Sequence, residues 1–116
     1  MRKNEIQERS YEFALRIIKL VLALPDNVAG RRLGDQLLRA GTSIGANVEE
    51  GIGGYSKNDF ASKMSIAYKE ARESNYWLRL IRDSNLMEVE RMQLIIEESE
   101  EIVKMLFSIV KSSKNP

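Results

Sequence analysis

The chain has 116 residues, 43% of them hydrophobic and 30% charged, and a formal net charge of +1. This length is enough for one domain with its own core, and the charge gives no general attraction to nucleic acids or anionic lipids. Histidine and cysteine are both absent, which argues against zinc sites, disulfides and the usual His or Cys catalytic groups.

The first predicted helix spans about residues 5–24 and ends at Pro25, which cannot continue an α-helix. It carries two apolar faces, because its polar residues beyond Tyr11 form one narrow stripe. One face holds Tyr11, Ala14, Leu15, Ile18, Val21 and Leu22. The other holds Phe13, Ile17, Leu20 and Leu24. A helix on the outside of a monomeric bundle needs only one apolar face, so this helix either sits centrally or meets another subunit through Phe13, Ile17 and Leu20.

The same stretch does not resemble a membrane span, because residues 11–24 are too few and include three charged side chains. The N-terminal residues lack the apolar run of a signal peptide. We therefore expect a cytoplasmic protein that does not enter a membrane.

The second predicted helix, about residues 29–52, contains most of the glycine-rich segment RAGTSIGANVEEGIGG. A phosphate-binding P-loop needs the pattern GxxxxGK[ST] between a strand and a helix, and the segment has neither feature. Three glycines instead share one helix face, where the missing Cβ atoms let a neighbouring helix approach: Gly34, Gly41 and Gly45. We expect the last three glycines of the segment to end the helix and to allow positive φ: Gly51, Gly53 and Gly54.

The other side of the second helix is polar. Arg31, Arg32 and Arg39 are candidates for contacts with RNA phosphates, and solvation or pairing with acidic side chains is the alternative. Three further polar residues lie opposite the glycines and predict a subunit contact or a buried polar network: Ser43, Asn47 and Glu50.

The third predicted helix, about residues 57–82, begins after Ser56 in the capping sequence SKND. Its core stripe is Phe60, Met64, Ala67, Ala71, Leu78 and Ile81. A second line contains Ile66, Glu70, Glu73, Trp77 and Leu80. Aromatic residues are enriched at interfaces, and the glutamates need partners. We expect this line to contact another subunit, with both glutamates paired to arginines such as Arg39 across the contact; alternatively, Trp77 caps the bundle core.

The fourth predicted helix, about residues 88–111, follows the turn DSN. Its strongest apolar stripe is Val89, Met92, Ile96, Val103, Phe107 and Val110, widened by Ile95, Ile102, Leu106 and Ile109. Its acidic run cannot converge on one metal ion, because neighbouring helical residues point in different directions: Glu97, Glu98, Glu100 and Glu101. Short connections favour antiparallel neighbours, so residues 1–116 are predicted to form a single all-α domain, an up-down-up-down four-helix bundle.

Three segments carry a family resemblance: LLRAGTSIGANVEEG (37–51), SKNDFASKMSIAYKEARESNYWLRLI (56–81) and EIVKMLFSIVKSSK (101–114). They resemble small bacterial four-helix-bundle proteins encoded in intervening sequences of 23S ribosomal RNA genes. The resemblance covers nearly the whole chain and implies a ring-like homopentamer. It implies no enzymatic activity, no catalytic residue and no cofactor.

A related branch consists of accessory proteins of diversity-generating retroelements, which bind a reverse transcriptase and nucleic acid through a strongly basic surface. The present chain departs from that branch in its net charge of +1 and its acidic fourth helix. We therefore expect a non-enzymatic homo-oligomeric scaffold with a surface for RNA or a ribonucleoprotein, and with no metal, cofactor or small-molecule substrate. The alternatives are an accessory subunit for a separate protein partner without RNA contact, and an enzyme relying on Asp, Glu, Lys and Ser alone.

Overall fold

The structure, a computed structural model, describes residues 3–114. Within this range the chain forms four α-helices and no strand: α1 Lys3–Leu22, α2 Val28–Ile52, α3 Lys57–Asp83 and α4 Val89–Lys114. Helices that follow one another in sequence lie side by side, and α4 completes the bundle against α1. The bundle measures 47 × 20 × 18 Å. The prediction of an all-α four-helix bundle is confirmed.

The helix ends follow from local chemistry. The N-terminus of α2 is capped by Asn27, whose side chain accepts a hydrogen bond from the Gly30 N–H, and Ser56 caps α3 in the same way. The last turn before Pro25 tightens, with Ala23 and Leu24 N–H groups bonding three residues back, so α1 ends at Leu22. The helix α4 continues beyond the predicted end, to Lys114.

The glycine face of α2 is where α1 packs. A Cβ atom built on Gly41 would lie only 2.9 Å from two side-chain carbons of Ile17, and one on Gly34 would lie 3.3 Å from Leu24. At Gly45 the nearest atom is the Ser10 carbonyl oxygen, at 3.4 Å. The prediction that these glycines admit a neighbouring helix is confirmed.

The expected positive φ at the last three glycines is wrong. Gly51 remains inside α2, and no described glycine has positive φ. Gly53 ends the helix at φ −83° with its N–H donating to the Glu49 carbonyl, and the Gly54 N–H donates to the Gly51 carbonyl, so the chain leaves α2 without a left-handed residue. Among residues 3–114, the left-handed position occupied by a non-glycine residue is Asn85, in the turn between α3 and α4.

The orientation of α1 corrects the sequence interpretation. Phe13, Ile17 and Leu20 were expected at a subunit contact, but all three are buried in the core of this single chain. The physical reason is their alignment with Ile6 and the fit of Ile17 against Gly41. The opposite apolar face of α1 points outward.

The core stripe of α4 includes Met92 and Ile96 as predicted, and it is shifted toward the residues expected to widen it. Val89 and Phe107 are about half exposed, whereas Ile95, Ile102 and Leu106 are buried. Buried serines in the bundle cost little, because each hydroxyl donates to a carbonyl of its own helix: Ser10, Ser74 and Ser99. Among residues 3–114, no helix combines the length and apolarity needed to cross a membrane.

Candidate interaction surfaces

The outward side of α1 is an apolar stripe. Tyr11, Leu15, Ile18 and Leu22 recur at i, i+4, i+7 and i+11, and all four are exposed, Leu22 to 81%. We call this stripe the α1 face. Its spacing is that of a helix face prepared to pack against another helix. Leu38 of α2 is also exposed, and its position between Gly34 and Gly41 places it on the side of α2 that faces α1.

A second surface runs along α3 and keeps the predicted membership. Ile66 and Leu80 are exposed, while Glu70, Glu73 and Trp77 are half buried at the border with α2. We call these five residues the α3 edge. It differs from the α1 face in combining apolar side chains with acidic ones.

The acidic residues of the α3 edge have partners within the same chain. The Nη1 atom of Arg39 lies 3.2 Å from Glu70 Oε1, and its Nη2 atom bonds to Glu73. Glu73 also accepts a hydrogen bond from the Trp77 indole at 2.9 Å. The prediction that Arg39 pairs with these glutamates across a subunit contact is therefore corrected, since Arg39 on α2 already faces α3. The network holds the Trp77 ring in a fixed orientation.

The three arginines proposed for RNA do not form one free patch. Arg31 pairs with Asp26 at 2.7 Å, and Arg39 is held by two glutamates. Arg32 is exposed and forms no ion pair with any residue in the range 3–114. Pairing with acidic side chains, the alternative considered for these residues, thus applies to two of them.

The polar residues opposite the glycines are explained by local bonding. Ser43 donates to the Arg39 carbonyl at 2.6 Å, and Asn47 donates to the Ser43 carbonyl at 2.8 Å. Glu50 forms an ion pair with Lys63 of α3 at 2.9 Å. They stabilise α2 and its contact with α3 in the same chain.

The acidic run of α4 is divided between different directions. Glu98 turns toward α1 and accepts two hydrogen bonds from Arg9, at 2.7 and 3.1 Å, while Glu97 accepts one from Gln93 on its own helix. The bond with Glu98 raises the pKa of the Arg9 guanidinium. Contact between α1 and α4 is the sparsest among the neighbouring helix pairs, and this ion pair crosses it.

A further surface was missed by the sequence interpretation. A groove of about 710 Å³ lies between α3 and α4, and its cationic side chains are Lys69, Arg72, Arg79 and Lys104. We call it the α3–α4 groove. The Arg72 guanidinium lies 5.9 Å from the centre of the Tyr68 ring, and Arg79 lies 5.8 Å from that of Tyr76. The helical spacing of the α3 cations was a signal in the sequence, but Lys104 joins them only in the folded chain.

Comparisons with known proteins agree with the fold. The family model described as 23S rRNA-intervening sequence protein matches residues 2–108. A crystal structure of a protein with unknown function from the S23 ribosomal protein family of Bacteroides thetaiotaomicron is similar to this chain, with 40% sequence identity and a TM-score of 0.86. The similarity covers 96% of this chain and 99% of that one. The search of curated proteins gave no match.

Proposed function

The chain belongs to the 23S rRNA-intervening sequence protein family, and on this basis we propose that it is a non-enzymatic scaffold that assembles from identical subunits. In this proposal the assembly is a closed ring, a pentamer by family resemblance, and it presents a surface to RNA or to a ribonucleoprotein in the cytoplasm. The absence of His and Cys supports a role without catalysis, metal or cofactor.

The observation that carries the proposal is the pair of unlike surfaces on one bundle. The α1 face is a row of large exposed apolar side chains, and the α3 edge combines Trp77 with apolar and charged neighbours. Extended exposed apolar patches mark interaction sites. A contact between two different patches, repeated from subunit to subunit, forms a ring when the rotation closes.

The Arg39 network favours the α3 edge as one half of that contact. A tryptophan held by a hydrogen bond loses little freedom on binding, and fixed aromatic side chains are typical energetic centres of interfaces. The α1 face, which is mostly aliphatic, is the kind of surface against which the Trp77 indole ring can pack. The proposal therefore assigns the α1 face of one subunit to the α3 edge of the next.

The test is the mass of the protein in solution, measured by light scattering coupled to size exclusion. We expect the wild type to have several times the protomer mass and the double variant Leu15→Glu, Ile18→Glu to approach the mass of one protomer. The matched control is Val89→Glu, Leu94→Glu, which places the same charges on exposed apolar positions of α4. A wild-type protein with the mass of one protomer would contradict the scaffold.

The RNA part of the proposal has a separate test, a filter-binding titration with a structured RNA at low and high salt. Binding at low salt that weakens as salt rises is expected, because phosphate contacts release counterions. If the assembly forms but no RNA binds at low salt, the accessory role with a separate protein partner replaces the RNA-binding one.

A further inference from the structure

The α3–α4 groove joins several unpaired cations to aromatic rings. Lys69, Arg72, Arg79 and Lys104 are all exposed, and none forms an ion pair with a residue between 3 and 114. Their charges remain available, in contrast to those of Arg31 and Arg39.

Aromatic groups lie in and beside the groove. Tyr76 is 47% exposed and meets the edge of Trp77 at a ring-centre distance of 5.1 Å. Tyr68 packs at 5.9 Å against Phe107 of α4, which is 51% exposed. Arg72 and Arg79 lie over the two tyrosine rings, so each guanidinium is held in place beside an aromatic group.

From this arrangement we propose that the α3–α4 groove binds single-stranded RNA, an inference that rests on the proposed RNA-presenting function and names its surface. Proteins that bind single strands combine cations that follow the phosphates with aromatic or guanidinium planes on which bases stack. Lys69, Arg72, Arg79 and Lys104 contact phosphates, while Tyr76 in the groove and Phe107 beside it receive unpaired bases. A base-paired duplex hides those base faces and gains only the charge contacts.

Acidic side chains in the groove set the strength of binding. Glu73 is already held by Arg39 and Trp77, but Glu100 lines the same groove and lowers its net charge. We therefore expect modest, strongly salt-dependent binding without sequence preference. The groove adjoins the α3 edge, because Glu73 belongs to both and Tyr76 meets Trp77, whereas the α1 face lies on a different helix.

The experiment is a fluorescence anisotropy titration of the full chain with a labelled oligouridine of about 20 nucleotides, chosen because a single-strand site spans up to about 16. Four phosphate contacts predict that wild-type affinity falls about 50-fold between about 50 and 200 mM salt. The triple variant Lys69→Gln, Arg72→Gln, Lys104→Gln should keep about one of these contacts, and its affinity should fall only about threefold over the same range. At low salt it should bind about tenfold or more weakly than the wild type.

The matched control removes three cations from the other cationic groove, between α1 and α4, which has no aromatic lining: Arg16→Gln, Lys19→Gln and Arg91→Gln. It changes the net charge of the protein by the same amount. We expect it to bind oligouridine within about twofold of the wild type and with the wild-type salt dependence.

A further variant separates stacking from charge. Tyr76→Leu keeps every cation but removes a ring, so affinity should fall about fivefold or more while the salt dependence is unchanged. A self-complementary RNA duplex should bind more weakly than oligouridine. Equal affinity for duplex and single strand, or an unchanged affinity of Tyr76→Leu, would overturn base stacking in the groove.

Solution mass, measured on the same samples, keeps the two proposals apart. A protein that has the mass of one protomer and binds RNA through the groove would contradict the scaffold proposal and support the groove proposal. An assembled protein whose groove variant and control bind RNA equally well overturns the groove and leaves the scaffold. An assembled wild type without affinity for oligouridine at low salt also overturns the groove.

Discussion

The two apolar faces of α1 have similar composition and opposite environments. Ile17 is fully buried against Gly41, whereas the next residue, Ile18, is 39% exposed on the α1 face. Hydrophobicity alone does not choose between the two faces. The choice is made by the partner helix, since the glycines of α2 provide space for only one of them to approach closely. One helix thus stabilises the fold with one face and has the other available for assembly.

The largest difference between the faces should be seen in stability. Ile17→Ala leaves a cavity in the core and is expected to lower the free energy of unfolding by about 2–5 kcal/mol. Ile18→Ala removes the same atoms from an exposed position and should change it by at most about 0.5 kcal/mol. Urea denaturation of both variants, at a concentration low enough that each has the mass of one protomer, makes the comparison. Equal losses would contradict the assignment of the buried face.

Assembly offers a sharper test of how the exposed face is used. We expect Leu15→Glu, Ile18→Glu to block the α1 face and Trp77→Ala, Leu80→Ala to block the α3 edge, each giving the mass of one protomer. A mixture of the two variants retains one intact α1 face and one intact α3 edge. If unlike surfaces meet, the mixture should form heterodimers of two protomer masses. The Trp77 contact should contribute about 2 kcal/mol or more to their binding free energy.

The contradicting outcome concerns the same mixture. A contact of the α1 face with its own copy would leave the Trp77→Ala, Leu80→Ala variant dimeric by itself, and mixing would add nothing. Sedimentation velocity distinguishes the two patterns.

The glycines of α2 permit a third comparison along the seam with the buried face. Gly41→Ala places a Cβ atom 2.9 Å from side-chain carbons of Ile17. The resulting overpacking should destabilise the bundle by about 1–3 kcal/mol, even after the higher helix propensity of alanine is taken into account. Gly45→Ala meets only an ordinary contact of 3.4 Å with Ser10 and should be neutral or stabilising by up to about 1 kcal/mol. Thermal denaturation of both variants measures the difference. A more stable Gly41→Ala would show that Ile17 can move away.

The smallest expected effect lies where α1 meets α4. Arg9→Gln removes the two-point bond to Glu98, a partly exposed pair whose loss should cost about 1 kcal/mol or less. The loss of stability should be smaller at high salt, because salt screens the attraction between the Arg9 and Glu98 charges. The control is Arg16→Gln, which removes an exposed charge of α1 that forms no ion pair within residues 3–114. Unfolding of both variants at low and high salt tests this. A salt-independent loss would mean that the Arg9 stem stabilises by packing.

The helices, the Ser56 cap and the glycine seam could be predicted from sequence, because each depends on periodicity or on bonding between near neighbours. The buried face of α1 could not be predicted, since both faces satisfy the same pattern. The Arg39 partners were predicted with the right residues and the wrong topology: the pairing glutamates are those of its own chain. The α3–α4 groove depends on Lys104 lying beside α3, which is a tertiary property.

The sparse contact between α1 and α4 has a kinetic consequence. The other three contacting helix pairs are each joined by a short connection, so most contacts form between residues that are close along the chain. Helical bundles with such low contact order fold within microseconds to milliseconds. The packing of α1 against α4, which joins the two ends of the chain, involves the least contact. The folding transition state can therefore form from the three hairpins before α1 and α4 meet. Folding of a protomer is accordingly expected to be much faster than the meeting of two protomers at micromolar concentration.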